Sequence, residues 1–552
     1  MKKYLGFLVV CNMTYGVNID DVYNHIKIID NGLYLKYDGI TYGAPSNNFV
    51  ESDQWVMQTP KLWGYSLDDY KISKKYSATG KYDPVFKLPK CNTDSDCGKL
   101  SKCTIAQFTE RNTKLCLLPE HLILNKLASS IVNANYYVDI SQLTQGFTSI
   151  TSEEFTETIK NSLTKLAMKS IKENAPIEVR LLEGSIVPLT LQKDNGYTTL
   201  YQYLKYITSK LHDGNQLIVS VASERSCNPL ICRYSIDPLF GFSWNHAKFL
   251  AVDGDYLITG GQQFNGPAYL GDNPVNDSMI ELYGPIAQTA TQYSNIMWDY
   301  VNKNKGVISN YCWTYESGNI SSKCITRFKL HNSISRFNFE SNMVAVKTMF
   351  VAKLNHGVLP DDADQSETSR VYAFKHANKS IKISQQAIFN LGVLYTKTIL
   401  GPVNTLDGNV IDALGYAIYH NNVDVSIITS NRKGGQSGWS SKVPLEFLYN
   451  SILENILTQF PSAKRHHVEA MLAEHLHLSY IDFNHSNNDA INNHNKFWMV
   501  DDHLFYFGSH NIYPSALQQY GVIMDSYELA NQINLEFWIP MYSNSNKISE
   551  VL

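Results

Sequence analysis

One pattern occurs twice in the 552 residues, and it constrains the fold more than any other feature. The first copy reads His246-Ala247-Lys248-Phe249-Leu250-Ala251-Val252-Asp253, followed by Gly260-Gly261-Gln262-Gln263. The second reads His494-Asn495-Lys496-Phe497-Trp498-Met499-Val500-Asp501, followed by Gly508-Ser509-His510-Asn511. Both are H-x-K-x4-D-x6-G-[GS]-x-[NQ], with seven residues from His to Asp and seven from Asp to the first Gly. A single H-x-K is ordinary surface chemistry. The same spacing twice in one chain marks an internal duplication, which governs any reading of the fold.

The segments ahead of the two copies repeat as well. In the first, residues 152–173 have helical spacing, with Phe155, Ile159, Leu163, Leu166 and Ile171 on one face, and 197–212 form a second helix. Strands are expected at the end of 131–140, at 177–182 and at 217–222. In the second, strands at 379–384, 423–428 and 477–482 alternate with helices at 407–421 and 443–458. Strands alternating with helices predict a helix-covered, mostly parallel sheet. The expected fold is α/β, with homologous halves at 119–305 and 340–552, a connection at 306–339, and an N-terminal extension at 17–118.

The repeated residues suit one kind of chemistry. His and Lys two apart on a strand project from the same face. The Asp begins a turn, and the Gly pair lets backbone come close to an anion. Two copies brought together supply two imidazoles and two ammoniums around one phosphate, with Gln263, Ser509 and Asn511 as further polar ligands.

At these residues the chain resembles the phospholipase D superfamily, whose defining feature is this duplicated motif. Asp277 through Ala287 resembles that family's acidic strand and Gly-Pro turn after the first copy, and Gly521–Ser526 the matching strand after the second. The resemblance implies two similar halves with the active site on their pseudo-twofold interface. It also implies a phosphodiesterase without metal or cofactor, working through a phosphohistidine. His246 would be the nucleophile and His494 the general acid. Lys248 and Lys496 would neutralise phosphoryl oxygens, and Asp253 and Asp501 would act structurally or orient the histidines. Two departures stand out: Gln263 replaces the usual Asn, and Gln519 stands where many members carry Glu. A phospholipid diester, met at a membrane surface, is the first substrate expected. Single-stranded nucleic acid is the alternative, and a catalytically weakened binding protein the third reading.

Composition bears on location and partners. Lys+Arg is 47 and Asp+Glu 51, a net charge of -4, without the basic excess usual for general nucleic-acid binding. Lys2 and Lys3 precede the apolar stretch Tyr4–Cys11, and residues 1–16 have the layout of a secretory signal peptide. Beyond it, no apolar run is long enough to span a bilayer. Eight further cysteines fall in local groups: Cys91, Cys97, Cys103 and Cys116; Cys227 with Cys232; Cys312 with Cys324. Even, local grouping behind a signal segment predicts disulfides and a secreted or lumenal enzyme. The competing zinc reading lacks short C-x2-C pairs. N-x-[ST] acceptors occur at Asn276, Asn319, Asn378 and Asn484. His466, His467, His475 and His477 read as surface and strand residues, and Asn431–Trp439 as a Gly-rich loop without the full P-loop pattern.

Overall fold

The computed structural model describes residues 16–548, apart from 33–35, 144–149, 186–195, 212–213, 228–241, 308, 329–341, 392–403, 432–443 and 485–490. The Tyr4–Cys11 stretch, Cys232 and most of the Gly-rich loop therefore lie outside the described residues.

The segment before the first half is built into the fold. Helix α1 (Ile19–Asn31) begins with an Asn18 capping box and buries Ile19, Val22 and Ile26. Strands β1 (Ser46–Glu51) and β2 (Val56–Thr59) enter the main sheet.

In the first half, β3 (Tyr137–Leu143), β4 (Ile177–Gly184) and β5 (Leu217–Glu224) run parallel. The connections are α2 (Glu153–Glu173) and α3 (Gly196–Ile207). On α2, Phe155, Ile159, Leu163 and Leu166 are buried, as the spacing predicts, but Ile171 is 43% exposed. Sixteen residues at 100° each put Ile171 nearly opposite Phe155, and Ser170 takes the buried place. The sheet continues antiparallel through β6 (Phe249–Val252), β7 (Tyr256–Gly260) and β8 (Asp277–Tyr283), with α4 (Ile286–Lys303) following. At the other edge, β9 (Tyr311–Glu316), from the expected connection, pairs with β5.

The second half opens with the long strand β10 (Met343–Leu354) and α5 (Gln365–Lys375). It then repeats the plan. Strands β11 (Ser380–Gln385), β12 (Asp424–Thr429) and β13 (Leu476–Tyr480) run parallel. They are linked by α6 (Gly408–Asn421), α7 (Leu445–Gln459) and α8 (Arg465–His475). Strands β14 (Lys496–Val500), β15 (Leu504–Gly508) and β16 (Gln519–Asp525) continue antiparallel. Strand β1 pairs with β10 along its length and meets β8 at Phe49–Tyr283, so one sheet runs through both halves.

Side-chain alternation explains the three large cores. Leu250 and Val252 face the helices of the first half. Trp498 and Val500 face those of the second. Phe249, Ala251, Phe497 and Met499 meet between the halves. These strands are buried on both faces, so they read as continuous apolar runs rather than as alternation. Disulfides join Cys91 to Cys103, Cys97 to Cys116 and Cys312 to Cys324, and Cys227 is also disulfide-bonded. No helix among the described residues is long and apolar enough to cross a membrane.

Candidate active site

The two motifs meet where the halves meet. The His246 N–H donates to the Gln518 carbonyl of the other half, and the His494 N–H to the Asn276 carbonyl, each at 2.7 Å. These reciprocal bonds trace the pseudo-twofold axis. Each histidine is also preceded by an Asn that fastens it to its own half. Asn245 Nδ2 donates to Ser141 Oγ at 2.9 Å and to the Gln142 carbonyl at 3.1 Å. Asn493 Nδ2 donates to Ser384 Oγ at 2.9 Å and to the Gln385 carbonyl at 3.1 Å. The sequence carried this signal twice, as Asn-His and as Ile-Ser-Gln, but both lay outside the motif. Gly184 ends β4 directly beneath this segment, and a Cβ there would collide with the Asn245 carbonyl.

The histidines and lysines converge in the buried interface between the halves. His246, Lys248, His494 and Lys496 are each at most 5% exposed. Lys248 Nζ donates to the His246 carbonyl at 2.7 Å, and Lys496 Nζ to the His494 carbonyl. Burial pushes the Lys496 ammonium down to about 8 and holds Lys248 well below its usual range, with Lys496 adding repulsion. Burial and the two lysines likewise hold both imidazoles well below their ordinary value. An anion bound between the halves would supply counter-charge to these buried cations.

The two histidines have different partners. His494 Nδ1 lies 2.7 Å from Asp277 Oδ2 and 3.1 Å from the Tyr269 hydroxyl. Burial pushes the Asp277 carboxyl up to about 6 against the pull of Lys496. His246 Nδ1 meets a neutral group, the Ser509 carbonyl, at 3.1 Å. Strand register explains the difference. Gly260 pairs with Met279, and Gly508 with Gly521, so Gln519 occupies the place that Asp277 holds in the first half. The Gln519 amide donates to Ser515 Oγ at 3.1 Å instead. The Gly-or-Ser position of the motif follows from this. A Cβ at Gly261 would overlap the Asp277 carboxylate, whereas Ser509 faces no carboxylate at the matching place.

The remaining sequence-derived residues divide. Asn511 is fully buried, and neither amide atom has a protein partner, as suits a side chain aimed at a ligand. Gln263 is buried beside the first motif. Ser509 serves through its backbone, because its hydroxyl is engaged with the Tyr520 main chain. Asp253 and Asp501 are not brought to the histidines. Asp253 accepts the N–H groups of Asn135, Tyr136 and Tyr137 at 2.8 Å, at the start of β3. Asp501 accepts those of Asn378, Lys379 and Ser380 at 2.7–3.1 Å, at the start of β11. Each sits at positive φ (53°) in its turn, a conformation that Asp tolerates better than most residues. Asp277 and Tyr269 are the site residues that motif spacing did not reveal. His466 and His467 are exposed on α8, and His475 pairs with Asp424 at 2.8 Å.

Residues 372–539 match a family model described as cardiolipin synthase, PLD-like domain. The chain is 24% identical over 457 residues to a phospholipase D of Streptomyces antibioticus, covering 77% of each. Among solved structures it resembles phosphatidylserine synthase of Haemophilus influenzae (TM-score 0.45, 12% identity, 78% of this chain and 86% of that one). It also resembles Nuc of Salmonella typhimurium (TM-score 0.20, 17% identity, 33% of this chain and 91% of that one). Residues 372–539, which carry the second H-x-K motif, thus match a PLD-like domain, and the first half repeats that motif on the same strand plan.

Proposed function

We propose that the protein is a phospholipase D-type phosphodiesterase that hydrolyses a phospholipid such as phosphatidylcholine to phosphatidic acid and choline. The observation that carries phosphodiester chemistry is the site with two imidazoles, two desolvated ammoniums and the unpartnered Asn511 amide. The lipid class is supported by the alignment with a protein named phospholipase D over 77% of both chains.

The partners of the histidines divide the labour. His246 is held neutral by burial and by the lysines, and its Nδ1–H donates to the Ser509 carbonyl. The Nε2 lone pair is then free to attack phosphorus. The N–P bond forms as the bond to the choline oxygen breaks. The bound phosphodiester anion offsets the lysines that hold His494 low, and with Asp277 2.7 Å from Nδ1 the protonated ring gives its Nε2 proton to the departing alkoxide. It then takes a proton from water, whose oxygen displaces His246 from phosphorus. Lys248, Lys496 and Asn511 hold the phosphoryl oxygens as charge builds on them.

The test is a paired assay with His494→Ala as the blank. Choline release from phosphatidylcholine, lost in the variant, supports this reading. Degradation of a single-stranded oligonucleotide without choline release replaces it with the nuclease reading. Neither activity, and no phosphoenzyme with any diester, leaves the binding-protein reading.

We also propose that the protein is exported and carries its disulfides in an oxidising compartment. In a eukaryotic secretory pathway, Asn319 and Asn378 are expected to carry glycans, since both are exposed. Asn276 is expected to carry none, because it is fully buried and its Nδ2 donates to Asn493 Oδ1 at 3.0 Å. Peptide mapping of the secreted protein checks this, and a glycan on Asn276 would contradict the placement of that residue.

A further inference from the structure

Tyr269 belongs to neither copy of the motif. It sits at the end of a one-turn helix, Gly266–Tyr269, capped by Asn265, and is fully buried. Its hydroxyl donates to Asp277 Oδ2 at 3.0 Å, and that same oxygen lies 2.7 Å from His494 Nδ1. The third side of the triangle, Tyr269 Oη to His494 Nδ1, is 3.1 Å. The second half has no counterpart. Leu517 follows Asn511 by the same six residues that separate Tyr269 from Gln263, and Gln519 takes the place of Asp277.

We infer that Tyr269 is a positioning residue: its hydroxyl keeps Asp277 ionised, so that the His494 proton stays on Nδ1 and Nε2 remains available to the reacting phosphodiester. The inference rests on the phosphodiesterase reading of the site. Its physical basis is the number of states the pair can adopt. With Asp277 ionised, His494 carries Nδ1–H and can give or take a proton at Nε2. With Asp277 protonated, Nδ1 becomes the acceptor. The neutral ring then carries its proton on Nε2, where it is a poor acid and cannot serve as a base. Burial drives Asp277 toward the protonated form, and Lys496, the Ser278 N–H, the Tyr269 hydroxyl and Lys248 oppose this, Tyr269 being the donor on the oxygen that meets His494. Among the described residues, His246 also faces the pair.

The test uses Tyr269→Phe in the full chain. On a choline diester, kcat is expected to fall about tenfold with KM little changed, the size expected for losing one hydrogen bond to a charged group. The acid limb of the kcat profile should move to higher pH by about one unit, because the Asp277 carboxyl loses a donor. The p-nitrophenol burst from an aryl diester, whose leaving group needs no proton, should be unchanged. An unmoved acid limb overturns the inference. A second measurement needs no substrate and no Tyr269 variant: the imidazole ¹⁵N shifts of His494 in the free protein, assigned by their loss in His494→Gln. A proton on Nδ1 is expected, and a proton on Nε2 alone overturns the inference even if Tyr269→Phe fails to fold. If the protein cleaves no diester, the reading of the site fails, while the ¹⁵N shifts compared between the parent and Tyr269→Phe still decide the role of Tyr269: a proton that leaves Nδ1 in the variant supports it, and unchanged shifts overturn it.

Discussion

His246→Ala is expected to abolish turnover and the phosphoenzyme together, whereas His494→Ala should abolish turnover but not every trace of the intermediate. The distinction follows from the separate partners of the two rings. In the proposed mechanism His246 supplies the electrons for the N–P bond. Its removal should lower kcat by on the order of 10⁴-fold or more, since a nucleophile acts as part of a unit and its loss is not made up by the rest. His494 moves protons, a contribution of about 10²–10⁴-fold. An aryl diester bypasses the first of its two proton transfers. On such a substrate His494→Ala should still acquire label from a phosphorus-labelled diester, and should hold it because water is no longer activated. Acid-labile, base-stable label on His494→Ala and none on His246→Ala is the expected result. Label on His246→Ala alone would reverse the roles of the two histidines. Asp277 and the Ser509 carbonyl would then be supporting the opposite steps.

The second large effect concerns stability. Arg180 and Asp139 face each other in register on β4 and β3, and both are fully buried. The guanidinium donates to Asp139 through Nε at 3.1 Å and Nη2 at 2.7 Å. It also reaches the Asn295 side chain at 2.6 Å and the Thr326 carbonyl at 3.1 Å, and lies 4.0 Å from the Phe328 ring centroid. The ion pair therefore ties β3, β4, α4 and the chain after Cys324 into one cluster. Asp139→Ala leaves a buried guanidinium without its counter-charge, and should destabilise the fold by roughly 3–5 kcal/mol. Replacing both partners, as Asp139→Leu with Arg180→Met, removes the charge as well as its partner, and should recover most of that loss. Urea unfolding of Asp139→Leu, Arg180→Met and their combination closes the cycle, with Asp139→Ala measured beside them. A single variant within about 1 kcal/mol of the parent would mean that water or another group reaches the guanidinium, as at an exposed pair.

Much of this was legible in the sequence, and the reason is periodicity. The parallel strands and crossover helices of both halves announced themselves as apolar runs and 3.6-residue spacing, since each buries a face against its own half. Position by position the reading weakened where one residue decides a face, as at Ile171. Phe447, an apolar residue of α7, is 37% exposed for a similar reason. Residues before 119 showed little periodicity, yet β1 joins the two halves. A strand whose burial is supplied by partners on either side needs no pattern of its own.

What the sequence by itself determined was the chemistry available: two His-Lys pairs at matched spacing, a carboxamide after each, and cysteines in local pairs. Local spacing suffices for that, because each copy is assembled within one strand-turn-strand unit. Only the tertiary structure decided which groups act on which. Asp277 reaches His494 from the opposite half, and Ser509 reaches His246 in the same way. Asp253 and Asp501, inside the motif, turn away to cap the strand beside them. A histidine's working state is set by what meets its Nδ1 in three dimensions, and across this interface those partners lie 217 and 263 residues away in the chain.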